Sequence, residues 1–189
     1  MEDQTSEHLE HAEHAEHASH ESNPFIMTVS VTIAILAVIA ATIGSLETVE
    51  SGKAISEKNT AVLAQNMASD QYAYYQAKML KQTMYEIAAS NGGPNAAANK
   101  AAADHNAGRG KEIINKAKEY EKHRDEKLAE AEGHESRHHI LTIGVTLVHV
   151  AIAIATVAII TKGQKWPWLA SIGLTVAGVA ISAFAYIGH

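Results

Sequence analysis

Three long apolar blocks constrain the fold of this chain more than any other feature. Residues 24–46 and 168–187 carry no charged side chain, and residues 140–161 contain only His149 as an ionisable group. About 20 helical residues are needed to cross a bilayer core of about 30 Å, so each block is long enough. The rest of the chain is too short to cover three such helices in a soluble core. We therefore predict transmembrane helices at residues 24–46 (span 1), 138–161 (span 2) and 168–187 (span 3).

The flanks of the blocks agree with this interpretation. Asn23 and Pro24 form a typical helix start, with an N-cap followed by proline at the first helical position. Residues 162–167 contain two lysines and lie beside tryptophans, as is typical of an interfacial turn. Acidic residues, rather than a basic segment, precede span 1, so we expect a retained anchor and not a cleaved signal peptide.

Composition excludes several classes of protein. The chain has no cysteine, which rules out disulfides, thiolate metal sites and cysteine nucleophiles. Aromatic residues make up 5% of the chain and there are three prolines, which argues against a β-rich domain. The net charge of −6 gives no reason to expect nucleic acid as a partner. No nucleotide-binding loop, catalytic triad or pair of catalytic carboxylates is recognisable, so we expect no enzymatic activity.

Residues 47–137, between spans 1 and 2, are predicted to be helical and to lie outside the membrane. The first helix continues to a strong terminator at residues 91–94, Asn-Gly-Gly-Pro. Residues 95–109 are rich in alanine and asparagine and fit either a short helix or a loose tip. A second helix is predicted from about Gly110 to Glu135. Its apolar side comprises Ile113, Ile114, Ala117, Tyr120, Leu128 and Ala131.

Because both ends of this segment return to the membrane, its two helices must form an antiparallel hairpin. The predicted fold class is therefore an all-α membrane protein with three transmembrane helices and a long antiparallel helical hairpin between spans 1 and 2. A hairpin of this length buries little by itself, which favours self-association.

The first helix of the hairpin carries a heptad-like stripe, which we call the heptad seam. Its residues follow alternating spacings of four and three, as in a coiled coil, and become more apolar away from span 1. They are Asn59, Leu63, Asn66, Asp70, Ala73, Ala77, Leu80, Met84 and Ile87. The polar first half is expected to pack loosely or to face a partner with matching polar groups.

The string Ser-Asp-Gln-Tyr-Ala-Tyr-Tyr-Gln-Ala-Lys at residues 69–78 resembles a motif of a bacterial family of small membrane proteins, domain of unknown function 4337. Tyr72 stands where that family is expected to have tryptophan. The His/Glu-rich start SEHLEHAEHAEHASHE and the segment HHILTIGVTLVHVAIAIATVAIITKGQKWPW are also similar to the family. The resemblance implies three spans with an inserted helical hairpin and implies no activity. The motif residues are Ser69, Asp70, Tyr72, Tyr74, Tyr75, Gln76 and Lys78.

The N-terminal tail, residues 1–23, is predicted to be disordered or weakly helical. Histidines recur at every third position among glutamates, at His8, His11, His14, His17 and His20. Imidazole and carboxylate groups together suit weak binding of Zn²⁺, Ni²⁺ or Cu²⁺. If the tail is helical, this spacing allows only histidines that are neighbours in the series to share one ion. The alternative is an acidic tail that histidine merely keeps polar. No other cofactor is expected.

Span 2 has a polar face formed by His138, Thr142, Thr146 and His149. An ionisable group at membrane depth normally faces protein or water, so the face is either part of an ion or proton path or a set of interhelical hydrogen bonds. Glu47 and Glu50, just beyond span 1, line an ion entrance on the first interpretation and are ordinary boundary residues on the second.

Small residues predict self-association through the spans, because they let helix backbones approach closely in a bilayer, where lipid supplies no hydrophobic drive for association. In span 1 they are Ser30, Ala34, Ala37, Ala41 and Gly44, and in span 3 they are Gly173 and Ala177. The alternative is that the three helices of one chain pack only on each other. The tyrosines of the motif similarly favour packing over ligand stacking.

These features predict a non-enzymatic membrane scaffold or accessory subunit that forms a homo-oligomer in the bilayer and presents the hairpin as a helical stalk to a protein partner. The alternative is a metal-handling or ion-conducting accessory protein that uses the histidine tract and the span 2 histidines. The expected location is the bacterial inner membrane, with the hairpin in the cytoplasm, since positive residues near span ends are retained there. The turn contains two such residues and the hairpin contains six. Those of the hairpin are Lys53, Lys58, Lys122, Arg124, Lys127 and Arg137.

Overall fold

A computed structural model describes residues 24–161 and 164–187. These residues form three helices: α1 (Pro24–Ser90), α2 (Ala96–Ile160) and α3 (Lys165–Ile187). No strand occurs in the described part of the chain. Each helix contains a stretch long and apolar enough to cross a membrane. The prediction of an all-helical chain with three such stretches is confirmed.

The predicted helix stop after Ser90 is also confirmed. The amide of Asn91 donates to the carbonyl oxygen of Ile87 over 3.2 Å, which closes the last turn of α1. Gly92 and Gly93 then adopt φ values of 76° and 96°, a backbone region that favours glycine. Helix α2 begins at Ala96, so the alanine-rich stretch is helical rather than a loose tip. The helix also continues through Gly108 and Gly110, since each glycine costs only about 1 kcal/mol in a helix.

The chain divides into two compact units, and the first comprises the described residues up to Lys53 and from Gly133 onward. Its core is formed by large side chains of α1 and α2, including Val29, Ile33, Leu141 and Ile152. Helix α3 contributes a stripe of mostly small residues with alternating spacings of four and three. This buried stripe comprises Ser171, Thr175, Gly178, Ser182 and Ala185.

Helices α2 and α3 approach most closely where two glycines face each other. A Cβ atom added to Gly144 would lie 2.9 Å from the carbonyl oxygen of Gly178, and one added to Gly178 would lie 2.8 Å from that of Gly144. Contacts this short leave no room for a side chain on either residue. The two backbones are therefore in direct contact, as is common where small residues meet in membrane helix pairs.

The second unit, Ala54–Glu132, consists of the remaining parts of α1 and α2. Its interface is lined largely by alanine, and the buried alanines that α1 contributes to this unit are Ala54, Ala61, Ala64 and Ala68. Across from them, Ile113, Ala117 and Ala131 of α2 are buried as predicted, whereas Leu128 is exposed.

Polar contacts show how the two helices of this unit pair. Lys127 forms an ion pair with Glu57 at 3.2 Å, and Arg124 donates to the amide oxygen of Gln65. Further along, a Cβ atom added to Gly110 would lie 3.3 Å from the ring of Tyr75. Residues later in α1 thus contact residues earlier in α2, so the two helices pack antiparallel within this unit.

Candidate functional site

Glu50 is the most deeply buried charged residue described in the first unit. It lies in α1 just beyond span 1 and is 3% exposed. Its Oε2 atom accepts hydrogen bonds from Nδ1 of His134, at 2.6 Å, and from Nε of Arg137, at 3.0 Å. Its Oε1 atom accepts one from Nζ of Lys53, at 3.2 Å. A buried carboxylate is tolerated only with partners of this kind, which offset the loss of its hydration.

These partners control the charge of Glu50. Burial is the largest single influence and raises its pKa, but the hydrogen bonds from His134, Arg137 and Lys53 together outweigh it. The net result lowers the pKa of Glu50 from 4.5 to about 2. The phenol of Tyr186 in α3 also interacts with this carboxylate. Glu50 is therefore ionised at neutral pH and links α1 to α2, with α3 nearby.

Glu47 forms a second polar contact one helical turn away. The hydroxyl of Thr142 donates to Oε1 of Glu47 over 2.6 Å. Nδ1 of His138 lies 3.8 Å from the same oxygen, which is too far for a hydrogen bond. This buried Nδ1 atom has no hydrogen-bond partner among the described residues. Glu47 and Glu50, together with their partners on α2, make up what we call the boundary cluster.

The chemistry of the boundary cluster is that of a structural contact. Arg137, Lys53 and His134 occupy the oxygens of Glu50, so the negative charge of this carboxylate is already balanced by its partners. Within residues 24–161 and 164–187, no group of three or more His, Asp or Glu side chains is arranged to hold a metal ion. The contacts of the cluster can hold helices together.

The polar face predicted for span 2 is divided in the structure. His138 and Thr142 belong to the boundary cluster. Thr146 is exposed, and its hydroxyl donates to the carbonyl oxygen of Thr142 over 2.7 Å. His149 is exposed and lies further along the helix. The hydroxyl of Thr142 also donates to the carbonyl oxygen of His138 over 3.0 Å, so hydrogen bonds one turn apart link the first three of these residues along the helix.

The tyrosines of the motif at residues 69–78 lie along the helix pair of the second unit. Tyr75 packs against Gly110, as described above. Burial and a hydrogen bond to Glu121 raise the pKa of Tyr72. Nζ of Lys78 lies 5.3 Å from the centre of the Tyr74 ring, a distance that permits a cation–π contact. Tyr72 and Tyr75 thus connect the two helices.

The remaining motif residues are less buried. Ser69, Asp70 and Gln76 are exposed. The hydroxyl of Ser69 donates to the backbone oxygen of Gln65 in its own helix, at 3.0 Å. Part of the motif therefore lies on the outer surface of the helix pair.

The heptad seam does not contribute to packing within the chain. All nine of its residues are exposed, and Leu80 and Met84 are exposed to 64% and 62%. The alanines that face α2 lie on the other side of α1. The expected pattern is therefore present, but its side chains face outward in a single copy of the chain.

The small residues predicted for self-association differ in burial within a single copy of the chain, and self-association through them stays a prediction. Ser30 and Ala37 are buried, whereas Ala34 and Ala41 are exposed. In α3, Gly173 and Ala177 are exposed as well.

The contact between Gly144 and Gly178 was missed by the sequence prediction. A usable signal was present, because Gly178 and Ser182 have the same four-residue spacing of small residues as Gly173 and Ala177. Spacing alone did not show which of the two pairs faces α2.

The histidines of the tail, His8, His11, His14, His17 and His20, lie outside the described residues. The metal site predicted there stays a prediction.

Comparison with known proteins gives one match. The profile described as Domain of unknown function (DUF4337) matches residues 25–188, which is most of the chain. The chain has no match among curated proteins and none among solved structures.

Proposed function

The chain belongs to the DUF4337 family, whose description names no activity, and we propose from the geometry of its own residues that it is a non-enzymatic membrane scaffold or accessory subunit. In this proposal its three apolar stretches span the bacterial inner membrane. Residues 47–137 form an antiparallel helical hairpin on the cytoplasmic side, and the hairpin presents a docking surface for protein.

The observation that carries this proposal is the exposure of the heptad seam. A helix in water normally turns its apolar residues toward the core and its charged residues outward. In the second unit, α1 instead buries alanines against α2 and leaves larger side chains exposed, including Leu63, Leu80 and Ile87. The exposed half of the seam from Ala73 to Ile87 is apolar throughout, and an exposed apolar face of this kind marks an interaction surface.

The boundary cluster supports a structural rather than a catalytic role. Its hydrogen bonds join Glu50 to His134 and Arg137, and Glu47 to Thr142, next to the predicted membrane boundary. Such contacts set the relative position of the spans. A docking surface attached to the membrane requires that kind of rigidity.

Photo-crosslinking in intact cells tests the proposal. A photoreactive phenylalanine analogue placed at Leu80 should give covalent adducts with protein, because Leu80 lies in the heptad seam. The matched control is Lys122, whose side chain is 80% exposed on α2. If the adducts at Leu80 are no more abundant than those at Lys122, the proposal is wrong.

The alternative, a metal-handling or ion-conducting accessory protein, stays a prediction that a zinc titration separates from the first. The scaffold proposal predicts weak, unsaturating binding of Zn²⁺ with no change in assembly. Saturable binding that alters the assembly, and that is lost when residues 2–21 are deleted, would favour the alternative.

A further inference from the structure

We infer that the heptad seam is a parallel, in-register contact with a second copy of this chain. The inference rests on the proposed function and names the partner of its docking surface. It commits to an identical chain rather than a different protein, for reasons of charge, polar pairing and size.

The seam and the contact with α2 use opposite sides of the same helix. Ala61, Ala64 and Ala68 are buried against α2, while the neighbouring seam residues Leu63 and Asn66 are exposed. The spacing of four and three gives a period of 3.5 residues, which keeps a stripe facing a partner in a left-handed coiled coil. A second copy can therefore bind α1 without disturbing the helix pair.

The distribution of charge favours an identical partner. In a parallel pair each seam residue faces its own counterpart, so every charge there meets the same charge. Asp70 is the one charged residue of the seam, and Lys81 is the one charge at the flanking positions. The flanking positions between residues 60 and 88 are otherwise occupied by Thr60, Val62, Met67, Ser69, Tyr74, Gln76, Thr83 and Ala88.

The outward face of α2 shows the opposite pattern. Exposed charges recur along it, including Lys116, Glu119, Lys122, Asp125 and Glu126. The two faces of the second unit therefore differ: the face of α2 carries many charges, whereas Asp70 and Lys81 are the two charges of the seam and its flanking positions that would oppose contact between two copies.

Polar residues in the seam indicate its register. An asparagine amide both donates and accepts, so Asn59 and Asn66 can each pair with the same residue of a second copy. Buried asparagine pairs of this kind fix register and orientation at some cost in stability. Two copies inserted with the same topology also present α1 in the same direction. Both considerations lead to a parallel pair.

The size of the seam indicates how strong the contact is. Its apolar half, from Ala73 to Ile87, covers two heptads. Even with the flanking positions, the seam supplies fewer residues than the roughly 20–30 per side of a standard interface. The contact is therefore weak between dissolved chains, and confinement to one bilayer raises its occupancy through a high effective concentration.

Single-cysteine crosslinking of the full chain in membranes tests this inference, and the natural chain contains no cysteine to interfere. The variants are Leu63→Cys, Ala77→Cys and Ile87→Cys. A disulfide requires Cα atoms about 4.4–6.8 Å apart. A parallel, in-register pair brings all three positions within that range, so each variant should form a disulfide-linked dimer under mild oxidation. The matched control is Tyr85→Cys. Tyr85 is 39% exposed but lies off the seam, so this variant should not form the disulfide-linked dimer.

Two further variants test the chemistry of the contact. In the Ala77→Cys background, Asp70→Asn removes a like-charge contact and should raise the crosslinked fraction roughly threefold, as expected for two charges about 6 Å apart in water. Leu80→Lys should reduce crosslinking to the level of the control. Because the Leu80 side chain is exposed, this change disrupts no packing within the chain.

The outcomes separate this inference from the proposed function. Crosslinking at Ala77→Cys alone indicates an antiparallel pair and overturns the parallel register. No crosslinking at any of the three positions, with adducts at Leu80 to a different protein, overturns the inference and leaves the scaffold proposal in place. If the Leu80 adducts are absent as well, both are overturned.

Discussion

Nδ1 of His134 lies 2.6 Å from Oε2 of Glu50, although 84 residues separate them in the sequence. The contact joins α1 to α2, and Arg137, one turn further along α2, binds the same oxygen. Burial raises the pKa of this carboxylate, but hydrogen bonds from His134 and Arg137 on another helix help to keep it ionised. This arrangement makes the boundary cluster a determinant of stability that can be measured.

Replacing Glu50 with glutamine should destabilise the protein substantially. Glu50→Gln keeps the size of the side chain but leaves Arg137 without its anion. Removing one partner of a buried ion pair typically costs about 3–5 kcal/mol. We expect a loss of roughly 2–3 kcal/mol, because the Arg137 side chain is 26% exposed and water screens part of its charge.

Unfolding in mixed detergent micelles, followed as loss of helix with increasing dodecyl sulfate, measures this effect. The matched control is Glu130→Gln, whose partner is Lys127 at 2.7 Å and whose side chain is 51% exposed. An exposed pair contributes about 0–1 kcal/mol. Equal effects of the two substitutions would contradict the role assigned to Glu50.

The difference in stability between the wild type and Glu50→Gln should depend on pH. Because the pKa of Glu50 is lowered from 4.5 to about 2, its charged form adds stability that is fully present above pH 4.5. That stability is lost as the pH falls from about 4.5 to about 2. The difference in unfolding free energy between wild type and Glu50→Gln should therefore be constant just above pH 5 and shrink toward pH 2. A difference that grows over that interval would have the wrong sign.

Replacing Gly144 or Gly173 with alanine should affect stability differently. Gly144→Ala places a Cβ atom against the backbone and side chains of α3, so the helices must separate, at a cost of about 1–3 kcal/mol. Gly173→Ala meets no atom within 4 Å and should be neutral or slightly stabilising, because alanine favours helix. The midpoint of unfolding in detergent distinguishes them, and similar midpoints would argue against direct backbone contact at Gly144.

The orientation in the membrane is tested with a single cysteine at Ala97, an exposed residue near the start of α2. We expect Ala97→Cys in intact cells to react with a membrane-impermeant thiol reagent only after permeabilisation, since the predicted hairpin carries more positive residues near its span ends. Labelling of untreated cells would place the hairpin outside the cytoplasm.

The sequence was sufficient to predict the helical class and the three apolar stretches, because length and lack of charge are local properties. The stop at residues 91–94 was equally local, since it depends on glycine and proline. The continuity of α2 through Gly110 was not predicted. Gly110 lies against Tyr75 and Met79 of α1, a contact between distant parts of the chain that no local pattern reveals.

The boundary cluster was only partly predictable. Glu47, Glu50, His138 and Thr142 were recognisable as polar residues near span ends. Their pairing depends on how α1 and α2 are aligned within the first unit. His134 and Arg137 were not predicted as hydrogen-bond partners of Glu50, because they lie in a stretch where charged residues are common.

The heptad seam shows a different limit of sequence patterns. Its spacing identified a stripe suited to helix packing but not the helix against which it packs. The alanines that meet α2 are less conspicuous in the sequence than Leu80 or Met84, although they form the contact within the chain.

The proposed assembly through the heptad seam is tested most directly by the mass of the intact protein released from lipid nanodiscs. The account predicts a dimer or a multiple of it for the wild type, and a monomer for the double variant Leu80→Lys/Met84→Lys. The control variant Tyr85→Lys should behave as the wild type. A wild type that is strictly monomeric, or an assembly that the double variant leaves intact, would contradict the account.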